Sequence, residues 1–191
     1  KSILSNQFNI SIIAEAGNGL ELIKAVENDP RPDIVITDIR MPIMDGIAAT
    51  KIITKKFPKI PVLALTMYDQ TADVFEMLEA GAKGYITKDV EKSELLTAIY
   101  KLKNGENYFS RNLPKNIDNW FKTDKKTSDI ALTRREKEIL HFISKGRTTL
   151  QIAQQLKLSK FTIDTHRKNI HKKLGIKSNA GLVNFALKNM N

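Results

Sequence analysis

Three polar side chains in this sequence stand where they could together bind a phosphoryl group. Asp38, Thr66 and Lys88 each end, or directly follow, a short run of apolar residues. A carboxylate can act as the nucleophile, an ammonium group can balance negative charge, and a hydroxyl group can donate a hydrogen bond to a phosphoryl oxygen. A single Asp at the end of a strand is more often a turn or capping residue. The chemistry therefore depends on whether the fold brings the three residues together.

The elements around these residues predict a parallel sheet. Short apolar runs at residues 10–15, 33–38, 61–66 and 84–87 have the length and composition of strands. Between them, apolar residues recur at helical spacing, and the last predicted helix runs from near Ser93 to the stop at Asn104-Gly105. Strands that alternate with helices predict a doubly wound α/β sheet. The carboxyl ends of such strands meet at one edge, so the three polar residues should lie close together.

Two segments carry a resemblance to a known family. The segment from Asp38 to Gly46, DIRMPIMDG, resembles the phosphoacceptor loop of response-regulator receiver domains, and the segment from Ala80 to Asp89, AGAKGYITKD, resembles a second conserved segment of the same family. The resemblance implies a flavodoxin-like fold. It also implies that a sensor histidine kinase donates a phosphoryl group to this chain.

The same resemblance implies roles for five residues. Asp38 accepts the phosphoryl group, and the backbone carbonyl of Arg40 binds a magnesium ion together with Asp38. Thr66 and Lys88 bind phosphoryl oxygens, and Tyr85 turns inward when Thr66 moves. An ordinary half-buried strand aromatic is the alternative interpretation of Tyr85.

The family pattern also includes a first strand that ends in two acidic residues, which complete the magnesium site. The sequence begins late in the predicted first helix, so we expect about 17 residues, the length of a typical strand and helix, to precede Lys1. The first strand is thus absent from the sequence. We expect Mg²⁺ binding only when those acidic residues are present, because magnesium requires several oxygen ligands.

Charge separates the chain into two parts. Residues 1–107 contain 13 Lys and Arg against 15 Asp and Glu, whereas residues 108–191 contain 18 against 6. A basic half is typical of a module that binds a polyanion, and double-stranded DNA is the leading candidate, with a merely solvated basic surface as the alternative. The sequence has no Cys and no apolar run near the roughly 20 residues that span a bilayer. We therefore expect a cytoplasmic protein with neither a disulfide nor a membrane partner.

The basic half begins with two helix-capping signals. Thr133 and Glu136 have the spacing of a capping box, as do Thr148 and Gln151, and Ser159 can cap a longer helix that continues to residue 174. Two short helices joined by a tight turn predict a helix-turn-helix, whose second helix enters the major groove of DNA.

The longer helix has two different faces. Ile163, His166, Ile170 and Leu174 share one arc, which we expect to face the core, and His166 is then a packed core residue. The opposite arc mixes lysines with acidic, hydroxyl and aromatic residues. Such a mixture is more typical of a surface that reads base edges than of a solubilising surface.

Residues 132–187 carry a second resemblance, to the LuxR-type DNA-binding domain. The segments that carry it are LTRREKEIL, IAQQLKLS, TIDTH and KKLG. Together the two matches resemble the NarL/FixJ class of response regulators. This resemblance implies that Asp164, Thr165 and Lys168 face bases, and that four residues approach phosphates: Thr149, Thr162, Arg167 and Lys172. The last helix resembles the family's dimerisation helix, which implies a homodimer, although packing within the domain is an equal alternative.

These observations predict a receiver domain at residues 1–107, a linker at 108–131 and a DNA-binding domain at 132–191. Trp120 and Phe121 allow a short docked helix within the linker. The predicted function is transcription regulation, in which phosphorylation of Asp38 controls DNA binding. We do not expect an enzyme, because phosphatases of the haloacid dehalogenase type have a second acidic residue two positions after the nucleophile, where this chain has Arg40. DNA binding independent of phosphorylation, with a degenerate receiver, is the alternative function.

Overall fold

The computed structural model describes residues 4, 9–67, 71–110 and 132–189, and the side chains of residues 66, 71 and 72 lie outside this description. The chain forms two compact units, which are considered one at a time. In the described residues, no helix is long and apolar enough to cross a membrane.

The first unit contains a four-stranded parallel sheet with the strand order β1-β2-β3-β4. Helices and strands alternate along the chain as α1 (Gly19–Glu27), β1 (Val35–Asp38), α2 (Gly46–Lys56), β2 (Val62–Thr66), α3 (Thr71–Glu79), β3 (Gly84–Thr87), α4 (Lys92–Lys103) and β4 (Tyr108–Phe109). This confirms the predicted doubly wound α/β class.

Two apolar clusters lie on opposite faces of the sheet, because successive strand residues point to opposite sides. Val35 and Val62 pack with residues of α1 and α2. Leu63 and Ile86 pack with the apolar stripe of α4. The side-chain oxygen of Asn18 accepts hydrogen bonds from the first turn of α1, and the carboxylate of Asp45 does the same for α2. These caps fix the start of each helix beside the sheet.

The structure differs from the predicted elements in two places. Residues 10–15 form no strand, and no described strand pairs with the outer edge of β1. An apolar run becomes a strand only where a neighbouring backbone can complete its hydrogen bonds, and this run has no such neighbour in the described chain. Conversely, β4 pairs with β3 although its two residues were assigned to the linker. The predicted helix around Trp120 and Phe121 lies outside the described residues.

Among its described residues, the second unit contains four complete helices, α5 (Arg134–Ser144), α6 (Thr149–Leu156), α7 (Lys160–Leu174) and α8 (Asn179–Asn189). Both predicted capping boxes are present, and the side chain of Ser159 accepts a hydrogen bond from Thr162 N at the start of α7. Lys157 ends α6 in the left-handed conformation with φ 55°, which makes the tight turn into α7. Apolar residues of all four helices and of the turn before α7 form one core, which contains Ile139, Leu140, Ile143, Ile152, Ala153, Leu158, Ile163, Ile170, Leu182 and Ala186.

The core is held at its edge by a buried ion pair. Lys173 Nζ donates to Glu136 Oε2 at 2.8 Å, and the same carboxylate oxygen accepts a hydrogen bond from Thr133 N at 2.8 Å. The Glu136 side chain is fully buried and that of Lys173 is 9% exposed. One carboxylate therefore completes the capping box of α5 and also ties α5 to the last turn of α7.

Candidate phosphoryl-acceptor site and nucleic-acid interface

Asp38 and Lys88 meet at the carboxyl edge of the sheet, although 50 residues separate them in the sequence. Lys88 Nζ donates to Asp38 Oδ2 at 2.5 Å. The strand register explains this contact, since β1 and β3 flank β2 and all three strands run in the same direction. Both side chains are about one third exposed, at 30% for Asp38 and 33% for Lys88. The carboxylate is therefore accessible to a phosphoryl donor.

The loop after Asp38 fixes the orientation of its carboxylate. Arg40 N donates to Asp38 Oδ1 at 3.2 Å, so the two carboxylate oxygens have different partners. Gly46 N donates to Ile39 O at 2.9 Å, which closes the loop onto the start of α2. A Cβ atom on Gly46 would lie 2.0 Å from Asp38 O. Only glycine can occupy this position without displacing the backbone of Asp38.

Ile43 lies in the same loop with φ 63°. This is the left-handed region, which is rarely populated by a β-branched residue. The side chain is 44% exposed. The loop that follows Asp38 thus holds an exposed apolar residue in a strained backbone conformation.

Thr66 and Tyr85 lie on neighbouring strands. Thr66 is the last residue of β2 and pairs with Thr87 in the sheet register, but its side chain lies outside the description, so its predicted contact with phosphoryl oxygens stays a prediction. The side chain of Tyr85 is fully buried. The backbone oxygen of Tyr85 accepts a hydrogen bond from Ser110 N at 3.0 Å, directly after β4. The ring is therefore more deeply buried than an ordinary half-buried strand aromatic, and its predicted movement with Thr66 stays a prediction.

The donors near Asp38 suit magnesium chemically. Mg²⁺ prefers oxygen ligands and commonly binds one or two carboxylates, with waters and substrate phosphates completing its coordination. The Asp38 carboxylate and the Arg40 carbonyl are ligands of this kind. Within residues 9–67, 71–110 and 132–189, no group of three or more His, Cys, Asp or Glu side chains could hold a metal ion. Such a site would therefore depend on waters, the phosphoryl group or further residues.

In the second unit, α7 presents a mixed polar surface. We define the outward face of α7 by four exposed residues, which follow one another at helical spacing and are Phe161, Asp164, Lys168 and Lys172. Thr165 is half-buried beside this face, and its hydroxyl donates to Phe161 O at 3.0 Å. His166 is buried, as predicted for a core residue. The face thus combines two ammonium groups, one carboxylate and one aromatic ring.

The remaining predicted DNA-contacting residues have different surroundings. Arg167 and Thr149 are half-buried, and Arg167 Nη1 donates to Thr149 Oγ1 at 3.4 Å. Thr162 is fully buried, and its hydroxyl lies 2.9 Å from Ser159 Oγ. Because no part of this side chain reaches the surface, the structure argues against its predicted contact with a phosphate. Thr162 instead completes the cap of α7.

Sequence reasoning missed two features of these sites. The pair Lys173–Glu136 was not predicted, because Lys173 also fits an ordinary surface position and the capping box alone accounts for Glu136. The contact of Asn179 with Arg167 was missed as well, since it depends on how α8 packs against α7. The phosphoacceptor-loop motif already included Gly46. Only the structure shows that a Cβ atom at this position would collide with the backbone oxygen of Asp38.

Comparisons with known proteins identify both domains. The family model "Response regulator receiver domain" matches residues 1–100, and the model "Bacterial regulatory proteins, luxR family" matches residues 130–186. The oxygen regulatory protein NreC of Staphylococcus epidermidis is 36% identical over 195 residues, which cover 97% of this chain and 89% of that protein.

Solved structures give the same result. The response regulator ChrA of a heme-sensing two-component system is 32% identical, with a TM-score of 0.51 over 99% of this chain and 89% of that one. The RcsB response regulator of Salmonella typhimurium is 25% identical, with a TM-score of 0.51 over 96% of this chain and 88% of that one.

Proposed function

Because this chain belongs to the two-component response regulators, with a receiver domain and a LuxR-type DNA-binding domain, we propose that Asp38 is the phosphoacceptor of a transcription regulator that contacts DNA through α7. Phosphorylation-regulated DNA binding is the function of the family. The contact between Lys88 Nζ and Asp38 Oδ2 is the observation that carries the assignment of Asp38. In this contact a cation lies beside the carboxylate that begins the predicted phosphoacceptor loop, whereas the other carboxylate of that loop, Asp45, caps α2.

In the proposed reaction, a carboxylate oxygen of Asp38 attacks the phosphorus of a phosphohistidine on a sensor kinase. The bond from the histidine nitrogen to phosphorus breaks as the aspartyl phosphate forms. Lys88 remains beside the reacting group and balances negative charge on the phosphoryl oxygens. Receiver domains generally bind Mg²⁺ at this site, and we propose that Asp38 and the Arg40 carbonyl hold it here. The bound ion would supply further charge stabilisation to the phosphoryl oxygens.

We propose that Thr66 and Tyr85 transmit the phosphorylated state. Thr66 ends the strand beside Asp38, and Tyr85 lies in the next strand with its ring buried. A phosphoryl group that attracts the Thr66 hydroxyl would favour one packing of the Tyr85 ring, and this would shift a two-state equilibrium of the receiver surface.

We also propose that the chain has no turnover of its own. Response regulators with a DNA-binding domain are typically not enzymes. Arg40 supports the absence of turnover in this chain. Phosphatases of the haloacid dehalogenase type have their second acidic residue at the position that Arg40 occupies here. A degenerate receiver is disfavoured by the intact contact between Asp38 and Lys88.

For the basic half, we propose that the outward face of α7 enters the major groove. Asp164, Thr165 and Lys168 would meet base edges, whereas Thr149, Arg167 and Lys172 would contact phosphates. We further propose action as a cytoplasmic homodimer, since two copies of such a module read two half-sites. The domain limits are proposed as 1–107 and 132–191, with a linker between them.

The assignment of Asp38 is tested by mass spectrometry of the native protein after incubation with acetyl phosphate and Mg²⁺. We expect a single labile phosphoryl adduct that disappears in Asp38→Asn. Asp89→Asn is the matched control, because Asp89 is exposed and directly follows Lys88, and its adduct should remain. An adduct that survives Asp38→Asn would show that another residue accepts the phosphoryl group.

A further inference from the structure

We propose that Asn179 is a positioning residue that holds the Arg167 guanidinium in place for a DNA phosphate. This inference rests on the proposed contact between Arg167 and the DNA backbone, and it assigns a role to a residue outside the helix-turn-helix. Asn179 is the first residue of α8, whereas Arg167 lies in the middle of α7. The proposal follows from the contacts of the guanidinium, from the helix ends around it and from the segment that joins α7 to α8.

The guanidinium of Arg167 is held from two sides. Arg167 Nη2 donates to Asn179 Oδ1 at 3.0 Å, and Nη1 donates to Thr149 Oγ1 at 3.4 Å. The first distance is that of a normal hydrogen bond and the second is long, so Asn179 makes the stronger of the two contacts. A guanidinium has five N–H donors. These two contacts leave donors that can reach a phosphate.

The position of this guanidinium is electrostatically unusual. Thr149 and Asn179 are the first residues of α6 and α8, so the guanidinium lies beside the amino-terminal ends of two helices. Helix amino termini carry partial positive charge and favour anions rather than cations. The amide oxygen of Asn179 offsets part of this repulsion in the free protein. A DNA phosphate at the same place would interact favourably with the guanidinium and with both helix ends.

His171 fixes the segment that joins α7 to Asn179 at the start of α8. His171 Nδ1 lies 2.8 Å from Ile176 O, and a carbonyl oxygen can only accept, so this nitrogen is the donor. With the ring proton on Nδ1, Nε2 is an acceptor, so its 3.3 Å approach to the acceptor Asn179 Oδ1 is not a hydrogen bond. The ring ties the last turn of α7 to the segment that leads into α8. The hydrogen bonds from Arg167 to Asn179 and Thr149 order the guanidinium before DNA arrives, which lowers the entropy lost when it binds a phosphate.

The test measures affinity for a random-sequence DNA duplex over a series of salt concentrations, because a phosphate contact acts on every sequence. Ordering one long side chain is worth about 0.5–1.5 kcal/mol, so Asn179→Ala should weaken binding roughly two- to tenfold. The charge of Arg167 remains in this variant, so the salt slope should be unchanged. Arg167→Ala should weaken binding and also lower the slope by about one unit. Asn184→Ala, an exposed position in the same helix, should change neither quantity.

Two further variants test the inference. Asn179→Ala should have no additional effect in the Arg167→Ala background, and Asn179→Asp should lower both affinity and slope because its carboxylate neutralises Arg167. Additive losses in the double variant would overturn the inference, as would an unchanged affinity of Asn179→Ala. If Arg167→Ala binds like the unsubstituted protein, the inference is also overturned, while base reading by Lys168 remains intact. Failure of the unsubstituted protein to bind DNA would instead contradict the proposed function.

Discussion

The two sites of this protein are built in opposite ways. The proposed phosphoryl-acceptor site joins Asp38 and Lys88 from different strands, and the contact exists only because the sheet brings the strand ends together. The proposed DNA-contacting face comes largely from one helix, whose residues lie side by side through helical spacing alone. The first site should therefore be sensitive to backbone changes near the sheet edge. The second should tolerate single exposed substitutions, provided that α7 stays docked on its core.

The largest expected effect concerns the docking of α7. Lys173→Met removes the partner of a fully buried carboxylate, and breaking a buried ion pair from one side costs about 3–5 kcal/mol. Thermal or chemical unfolding should show this loss, whereas Lys177→Met at an exposed position should stay within about 0.5 kcal/mol. Adding Glu136→Gln should recover part of the stability. If Lys173→Met is as stable as the unsubstituted protein, the ion pair with Lys173 is not needed to keep the Glu136 carboxylate buried.

Next in size is the effect of a side chain at Gly46. In Gly46→Ala the new Cβ meets Asp38 O at 2.0 Å, and because the neighbour is backbone, we expect a loss of about 3 kcal/mol together with a reduced yield of the phosphoryl adduct. Gly17→Ala is the matched control, since its Cβ would make only an ordinary contact at 3.4 Å. DNA affinity of the folded protein should be retained. Normal phosphorylation of Gly46→Ala would show that the close packing of Gly46 on the Asp38 backbone is not needed to position the Asp38 carboxylate.

Smaller effects are expected on the outward face of α7. Lys168→Ala should cost about 1–3 kcal/mol on the operator and little on random DNA, if Lys168 reads a base edge. Asp164→Ala should raise non-specific affinity and relax specificity, because a carboxylate near phosphates weakens binding unless it accepts a hydrogen bond. Binding to both duplexes over a salt series measures these changes. An unchanged ratio of the two affinities in Asp164→Ala would exclude this face as the reading surface.

The smallest effect is expected at Ile43. Its left-handed backbone costs roughly 1–2 kcal/mol, and glycine removes this strain but gains freedom in the unfolded chain. Ile43→Gly should therefore stabilise the first unit by about 0.5–1 kcal/mol, as measured by unfolding. Ile43→Ala keeps a Cβ atom and should give a smaller gain. A loss of stability in Ile43→Gly would show that contacts of the side chain outweigh the strain.

The same contrast explains what could be predicted from the sequence. The limits of β3 and the start of α7 follow from local patterns and caps, and the structure confirms them. Residues 10–15 were wrongly predicted as a strand, because strand formation depends on a partner that a local pattern does not reveal. Three other features depend on packing between residues that are distant in the sequence. They are the close approach of the Asp38 backbone to Gly46, the burial of Thr162 and the hydrogen bond between Arg167 and Asn179. Residue types indicated the chemistry at Asp38, but only the fold shows that Lys88 reaches it.

The central claim is that phosphorylation of Asp38 controls DNA binding. It is tested most directly by measuring operator affinity and oligomeric state of the native protein, with and without the phosphoryl group, at matched salt. We expect phosphorylation to raise the affinity or promote dimerisation, and we expect Asp38→Asn to lose this response while keeping its basal binding. By linkage, operator DNA should favour phosphorylation by the same factor. Equal affinity and equal oligomeric state in the two forms would contradict the account.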